Sequence, residues 1–446
     1  MQGLVGITVA LVVSGMVAQL AAPYIRRDDW PFLLPRGTSG TADPLDKVRE
    51  EGRWLGYAWW LLVGQHGTPL TAVFVLVGSY ALFAVGFWRL FDSTGWVAGT
   101  LLGAALLVSP LWVRLAYWPG TLSASAVVAA AAVSTLPRAA RYRWGLAVWL
   151  PVVVVLSVLT YPPVAGLLLI AAAVHLRHRA WKGTALLCLG FVGSFALAVL
   201  VSFSIDALVF GHFGVAIAAW RHPHAVTSLH DLMVNGHRYV GQVTALGRTL
   251  RWPATVGAVC AVVGLADARV RPMLLRVGVA VVLVAGLECA QTLDTGVRTA
   301  ARGSLWAWPA VVVPAALLLA GRRWSRRVAA VALLCLALLG LHAWHSDLGA
   351  HQATRRAYDA LVTDATRTGQ EVVFYQAPAE RRSARGRITE GTLRMMFYER
   401  AGVVVHWCSP AQCRELAALA GPRGGGSVHA LDGVVGVVVP SPPARL

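Results

Sequence analysis

The sequence predicts a mostly helical membrane protein that crosses the bilayer many times and ends in a small α/β domain. Of its 446 residues, 57% are hydrophobic and only 13% are charged, whereas soluble domains carry about 25% charged residues. Apolar runs separated by short arginine-containing loops fill most of the chain, and strand-like and helix-like segments alternate at its C-terminal end. This pattern excludes a soluble enzyme, a disordered chain and a secreted disulfide scaffold.

Apolar runs of roughly 20 residues can cross a bilayer as α-helices. We count about eleven, near residues 3–25, 69–91, 96–113, 121–136, 144–160, 162–176, 184–210, 252–266, 277–293, 304–320 and 328–345. Tyr161-Pro162-Pro163 separates two of these runs and predicts a tight hairpin, because proline ends a helix. The first run could instead be a cleaved signal peptide, although no basic segment precedes it.

The placement of the arginines predicts the orientation. One set of alternate short loops is strongly basic, near 138–143, 177–182, 269–276 and 322–327, whereas the other set holds only Arg114, Arg298 and Arg302. Basic loops remain in the cytoplasm, so the N-terminus is expected inside. Loops 26–68 and 211–251 and the tail 346–446 are expected outside. The net charge of +18 then reflects topology and does not indicate nucleic acid as a partner.

The predicted transmembrane domain covers residues 1–345, and the predicted extracytoplasmic α/β domain covers 346–446. Strands are expected at 371–375 and 403–407 and within 428–439, with helices near 353–368, 390–400 and 411–420. Cys408 and Cys413 lie in this tail. In an oxidising compartment they could close a short disulfide loop, and two free thiols are the alternative.

The first predicted outer loop carries the most informative polar residues. Asp28 and Asp29 directly follow the first apolar run. A carboxylate beside a reacting hydroxyl can act as a general base, and a pair can hold a divalent cation such as Mg²⁺ or Mn²⁺. No other cofactor is implied. The alternative is a solvated loop start whose charge Arg26 and Arg27 balance.

The same loop continues with Asp43-Pro44, a pattern typical of a helix start. The aromatic-rich segment through Trp59 and Trp60 predicts a helix lying in the membrane interface. Arg53, within Gly52-Arg53-Trp54, could meet a lipid phosphate there or simply extend its charge to water.

An Asp-Asp pair after the first span, followed about twenty residues later by Gly52-Arg53-Trp54, resembles the GT-C superfamily of membrane glycosyltransferases. The pattern is similar to that of the phage-type O-antigen glucosyltransferase II family. The resemblance covers residues 24–66 by motif and the remaining spans by architecture. The arginines before the pair and Trp30-Pro31 after it differ from the family pattern, so the identity of the sugar does not carry over.

The resemblance implies an inverting, GT-C-like enzyme of the bacterial inner membrane. It would move a sugar from a polyprenyl-phosphate donor to a cell-envelope or lipid-linked glycan on the outer face. Asp28 or Asp29 would deprotonate the acceptor hydroxyl, and arginine would bind the leaving phosphate. The outer-side candidates for that phosphate are Arg53, Arg114, Arg221, Arg298 and Arg302. Sugar or acceptor contacts are expected from Trp30, Tyr117, Trp118 and Glu288.

Two other classes of function remain open. A transporter or flippase of lipid-linked glycans should carry ionisable residues in mid-span or matching broken helices, but apart from Glu288 the spans are nearly free of charge. A non-catalytic envelope assembly protein would use the tail for docking. A nucleotide-binding motif is absent. The loop 211–251 holds five histidines in no recognised metal-binding pattern: His212, His222, His224, His230 and His237.

Overall fold

The structure is a computed structural model that describes residues 16–17, 19–34, 43–91, 96–420 and 426–441. Most of the first predicted run, 3–25, and part of the first loop therefore lie outside the described residues. The helical body comprises α1 (Pro44–Glu51), α2 (Trp54–Leu62), α3 (Pro69–Trp88), α4 (Trp96–Leu107), α5 (Trp112–Leu115), α6 (Pro119–Ala139), α7 (Gly145–Thr160), α8 (Pro163–His175), α9 (Trp181–Phe210), α10 (Leu229–Thr249), α11 (Arg251–Ala266), α12 (Arg271–Thr295), α13 (Ala307–Leu318) and α14 (Arg323–Thr366).

The ten predicted apolar runs from residue 69 onward all form helices. Among the described residues, five are long and apolar enough to cross a membrane, namely α3, α6, α9, α12 and α14. The bent pair α10 and α11, which meet at 89°, adds a sixth if it counts as one broken span. Several long apolar helices of this kind are compatible with a membrane-embedded protein. The count of eleven spans stays a prediction.

Helices α6 and α8 lie at the centre of the body. Gly86 of α3 lies so close to α6 that an added Cβ would be 2.5 Å from Val133 Cγ1. Leu167, Leu168 and Ile170 of α8 are fully buried, as expected for a helix that is apolar on all sides. As predicted, the Pro162-Pro163 pair ends one helix and starts the next, since α7 ends at Thr160 and α8 begins at Pro163.

Helix α10 lies within 211–251, which the sequence predicts as a loop. The helix shows the reverse of the pattern found in water, where apolar side chains face inward. Asn235 and Gln242 are buried, whereas Leu229, Met233 and Val240 are 73%, 54% and 62% exposed. The polar face of α10 packs against the rest of the protein, and its apolar face points outward. The segment is therefore less apolar overall than a typical span.

The C-terminal residues fold around a four-stranded sheet of order β2-β1-β4-β3. Its elements are β1 (Glu371–Tyr375), α15 (Pro378–Arg382), α16 (Ala384–Ala401), β2 (His406–Trp407), α17 (Pro410–Leu419), β3 (Ser427–Ala430) and β4 (Val434–Val438). Strand β1 pairs in parallel with β2 and β4, with Val373 opposite His406 and Gly436, and β3 pairs antiparallel with β4. The predicted alternation of strands and helices is therefore present.

Three details of the tail differ from or add to the expectation. Helix α14 runs unbroken from residue 323 to 366, through the predicted boundary at 345/346. The second strand is shorter than predicted, because the Val403 N–H bonds back to the Phe397 carbonyl oxygen and the Val405 carbonyl oxygen accepts from Arg394. Only His406 and Trp407 pair with β1. Cys408 and Cys413 form a disulfide.

Candidate active site

Asp29 anchors the first loop to the start of α6. It lies in a short 3₁₀ helix, Arg27–Phe32, and is fully buried. Its Oδ2 accepts a 2.7 Å hydrogen bond from the backbone N–H of Gly120, and Oδ1 accepts one of 2.7 Å from that of Thr121. The Thr121 hydroxyl donates to the same oxygen. The first N–H groups of a helix have no partner within it, so this carboxylate supplies one.

The burial and hydrogen bonding of Asp29, and not its pKa, make it unsuitable as a general base. Burial raises its pKa to about 6, although Lys47, Thr121 and Gly120 act in the opposite direction. Both carboxylate oxygens already accept hydrogen bonds from α6. Because Asp29 is fully buried against the start of α6, an acceptor hydroxyl could reach it only if that segment moved, so we assign Asp29 a positioning role.

Asp28 presents its carboxylate to the surface. Its side chain is 55% exposed. Oδ1 accepts a 2.7 Å hydrogen bond from Trp118 Nε1, and Lys47 Nζ lies 3.5 Å from Oδ2 and 2.7 Å from the Asp28 carbonyl oxygen. Desolvation raises the pKa, but Lys47, Trp118 and Arg302 outweigh it and hold the pKa of Asp28 below its ordinary value. The group is therefore ionised at neutral pH and open to a ligand.

The Gly52-Arg53-Trp54 turn joins α1 to α2 and fixes both to α9. Gly52 has φ +67°, and an added Cβ would lie 2.5 Å from Ser202 Oγ. Trp54 Nε1 donates a 3.0 Å hydrogen bond to Asp206 Oδ1. Arg53 turns the other way, with Cζ 4.7 Å from the ring centroid of Tyr161. The expected interfacial helix is therefore divided into two helices at Gly52. This break directs the Arg53 side chain toward Tyr161.

Glu51 holds two of the predicted phosphate-binding arginines together. Its Oε2 lies 3.0 Å from Arg53 Nε, and its Oε1 pairs with the guanidinium of Arg221. The Glu51 side chain is only 9% exposed. Desolvation raises the pKa, but Arg53, Lys47 and Arg221 together lower it. Arg221, 168 positions after Arg53, thus joins it through one ionised carboxylate.

Arg302 completes this charged cluster from the opposite side. Its Cζ lies 3.9 Å from the ring centroid of Trp118, the residue that donates to Asp28. Burial lowers the pKa of Arg302, although Tyr161 and Asp28 counteract it. A narrow crevice nearby is lined by Phe32, Lys47, Val48, Glu51, Arg53, Gly56 and Thr121. We call Asp28, Lys47, Glu51, Arg53, Trp118, Arg221 and Arg302 the charged cluster.

The remaining predicted phosphate ligands lie apart from the charged cluster. Arg114 Nε is 3.6 Å from Asp347 Oδ1, on α14. Arg298 is exposed and lies against α10, where its Cζ would be 3.7 Å from a Cβ added to Gly241. Neither arginine contacts Asp28 or Glu51.

The residues expected to contact the sugar also lie in different parts of the structure. Trp118 belongs to the charged cluster, but Trp30 is fully buried in the core and Tyr117 donates a 2.7 Å hydrogen bond to Asp347. Glu288 accepts three neutral hydrogen bonds, from Gln242, Ser304 and Trp306 at 2.5–2.6 Å. These neutral donors occupy both oxygens of Glu288.

The two aspartates do not converge as a cation site would require. Both Asp29 oxygens bind the start of α6, and Asp28 faces Trp118 and Lys47. In the described ranges, no three His, Cys, Asp or Glu side chains come together as metal ligands. Of the loop histidines, His224 lies 3.5 Å from Asp231, and His237 contacts the Met233 carbonyl oxygen at 2.9 Å.

Sequence reasoning did not identify three residues of this region as site candidates. Lys47 is one of only two lysines in the chain, a rarity that could have drawn attention to it. Glu51 directly precedes the Gly-Arg-Trp motif, but nothing local shows that Arg221 approaches it. Asp206 is an acid near the end of an apolar run, which is a standard sign of a functional or structural site.

Comparisons of the chain with protein-family models, with curated proteins and with solved structures gave no match.

Proposed function

We propose that this protein is an inverting glycosyltransferase that uses a polyprenyl-phosphate sugar on the outer face of a bacterial inner membrane. One observation carries the proposal. An exposed, ionised carboxylate, Asp28, lies beside Lys47 and within one cluster with Arg53, Arg221 and Arg302. Sugar transfer from a phosphate needs these two functions, a base for the acceptor and cations for the leaving group.

The proposed step balances as a single displacement. Asp28 takes the proton of the acceptor hydroxyl as its oxygen attacks the anomeric carbon. The bond between that carbon and the phosphate oxygen breaks, and the phosphate leaves with the electron pair. Arg53 and Arg302 bind the phosphate oxygens, because a guanidinium fork matches their geometry. The anomeric configuration inverts because attack and departure occur on opposite faces.

The donor also adjusts the strength of the base. In the free protein Lys47 and Arg302 lower the pKa of Asp28, which makes it a weak base. A bound phosphate brings a negative charge close to these cations and offsets their effect. The pKa of Asp28 then rises, so the base becomes stronger once the donor is in place.

The tail adjoins the segment that carries the base. Arg27 donates a 2.9 Å hydrogen bond from Nη1 to the Arg387 carbonyl oxygen on α16. The same side chain packs so closely on Gly391 that an added Cβ would be 2.2 Å from Arg27 Cδ. We therefore propose that the tail lies outside with the Asp28 end and contributes to acceptor binding.

A panel of polyprenyl-phosphate sugars tests the proposal directly. Full-length protein in detergent should release polyprenyl phosphate from at least one donor when a glycan acceptor is supplied, and the donor should raise its thermal denaturation temperature. The matched control is Asp46→Asn, which removes an exposed carboxylate of the same loop and should leave turnover unchanged. Movement of the intact lipid-linked sugar across vesicles without bond cleavage would favour a transporter and contradict the proposal.

A further inference from the structure

A basic cavity lies at the end of the helical body opposite Asp28. Its volume is about 400 Å³, and it is formed where α3, α6 and α8 end. The lining residues are Arg89, Pro137, Ala140, Arg141, His175, Leu176, His178 and Arg179. Thr121, which binds Asp29, and Pro137 are separated by most of α6, or about 24 Å at 1.5 Å per residue.

Three of the lining arginines are available to a ligand. Arg89, Arg141 and Arg179 are exposed, and the lining residues that the structure describes include no carboxylate. Within the part of the chain that the structure describes, no ion pair joins any of the three to an acidic side chain. Three guanidinium groups around one cavity repel each other, and an anion with several oxygens would relieve that repulsion.

A neighbouring arginine already donates hydrogen bonds to the ends of two helices. Arg177 is buried and donates from Nη1 to the carbonyl oxygens of Leu90 at 2.7 Å and Val174 at 2.9 Å. These carbonyls belong to the ends of α3 and α8, where unpaired C=O groups need donors. Because Arg177 meets that structural need, capping of these carbonyls does not account for Arg89, Arg141 and Arg179.

Exposed aromatic residues beside the cavity are of the kind found at the level of lipid headgroups. Tyr142 and Trp144, beside Arg141, are 73% and 68% exposed, and Trp181, close to Arg179, is 49% exposed. Tyrosine and tryptophan concentrate at the boundary between membrane and water. Phosphate groups of lipids lie at this same level, and clustered arginines bind them.

We propose that this cavity binds a phosphate group on the face opposite Asp28, carried by an anionic lipid headgroup or by a free phosphate compound. The inference is independent of the proposed glycosyl transfer, since it uses none of the residues of the charged cluster. The inference also goes beyond the role of basic loops in fixing the orientation of a membrane protein. That role needs only charge, whereas this site requires three arginines around one cavity.

Native mass spectrometry of the full-length protein tests the lipid source. The protein would be supplied with cardiolipin or phosphatidylglycerol, and for comparison with phosphatidylcholine, whose phosphate charge is balanced by its own choline. The double variant Arg141→Ala/Arg179→Ala should bind the anionic lipids about tenfold more weakly or worse. The matched control is Arg323→Ala/Arg327→Ala, which removes two exposed arginines of another basic segment and should bind them as the parent does.

Thermal denaturation of lipid-depleted protein tests the other source. Inorganic phosphate, compared with chloride at equal ionic strength, should raise the denaturation temperature of the parent and the control but not of the Arg141/Arg179 variant if free phosphate suffices. A selective effect in either experiment supports the site and identifies the source. If neither experiment separates the Arg141/Arg179 variant from its control, the proposal is overturned.

Discussion

Two polar regions lie side by side at one end of the helical body, and they use their charges differently. In the charged cluster, Asp28 remains half exposed, and besides the Trp118 N–H its partners are the cations Lys47 and Arg302. In the neighbouring region between α10 and α12, Glu288 is enclosed by neutral donors, and Gln242 links it to the backbone of Thr299. The first arrangement leaves a charge available to a ligand. In the second arrangement, the carboxylate oxygens are bonded to donors of neighbouring segments and hold helices together.

The same contrast exists within one dipeptide. Asp28 and Asp29 are neighbours in sequence, but one faces solvent and the other replaces missing partners at the start of α6. Residue type therefore does not decide whether a carboxylate acts on a substrate or holds the fold together. The access of a ligand to the carboxylate does, since Asp29 is fully buried with three donors on its oxygens, whereas Asp28 is half exposed.

The largest expected effect comes from Asp28→Asn. Removal of a positioned general base should lower the transfer rate about 10²–10⁴-fold, while the similar size of asparagine should leave the denaturation temperature close to that of the parent. Initial rates with saturating donor, measured beside thermal denaturation, check both parts.

Glu288→Gln and Asp29→Asn are the structural comparisons for this variant. Each places an amide where the native carboxylate accepts hydrogen bonds from several donors, so each should lose about 1–3 kcal/mol of stability and retain most of its activity per folded molecule. A folded Asp28→Asn protein with parental activity, or a folded Asp29→Asn protein without activity, would reverse the assignment of the two residues.

The second expected effect comes from Glu51→Gln. The amide is neutral, so Arg53 and Arg221 lose the charge that holds both of them. Displacement of binding groups by about 1 Å can cost 10²-fold in rate, and we expect a loss of about 10- to 100-fold in kcat/KM, mainly through the KM for the donor.

Glu50→Gln is its control, because Glu50 is the adjacent acid on α1 and forms no ion pair within the described residues. Steady-state kinetics with varied donor distinguish the two variants. Equal kinetic losses in both, with the fold intact, would mean that the total charge of α1 matters and that the Glu51 bridge does not.

Local signals in the sequence predicted the scaffold of this region well. Asp43 and Pro44 start α1 as expected, with Asp43 Oδ1 accepting from Leu45 N at 2.8 Å, and Pro162-Pro163 separates α7 from α8. Caps and proline breaks act over a few residues. Sequence alone can therefore locate them.

The roles of Asp28 and Asp29 could not be separated in this way. They depend on Gly120 and Trp118, about 90 positions later in the chain, and the Glu51 bridge depends on Arg221. These contacts arise from helix packing, which places distant segments together. The inverted pattern of α10 was missed for a related reason. Its polar residues are typical of a loop, and only the structure shows that Asn235 and Gln242 face α12.

The pH dependence distinguishes the two aspartates without mutation. A general base works when ionised, so activity persists above its pKa and is lost as the pH falls through it. The pKa of Asp28 is held below its ordinary value, and that of Asp29 is raised to about 6. We expect kcat/KM, which reports the free enzyme, to stay level down through pH 6 and to fall only in strongly acidic buffer. A single acidic limb near pH 6 would instead implicate Asp29.

The profile of kcat adds a second comparison. It reports the enzyme with substrate bound, where the donor phosphate offsets Lys47 and Arg302. Its acidic limb should therefore lie at a higher pH than that of kcat/KM. Identical limbs would mean that no anion binds near Asp28 before the chemical step.

The smallest expected effect comes from Arg298→Ala. Arg298 is exposed and lies against Gly241 of α10, outside the charged cluster. Its loss should change kcat/KM by less than about twofold, because exposed charges contribute little to distant sites at physiological ionic strength. Arg302→Ala is the matched comparison, since this arginine lies only four positions later but stacks on Trp118 at 3.9 Å. Its removal withdraws a cation from Asp28 and from the leaving phosphate, so kcat/KM should fall about tenfold or more. Donor kinetics of the two variants in parallel check this, and equal losses would place the phosphate between the two polar regions instead of in the charged cluster.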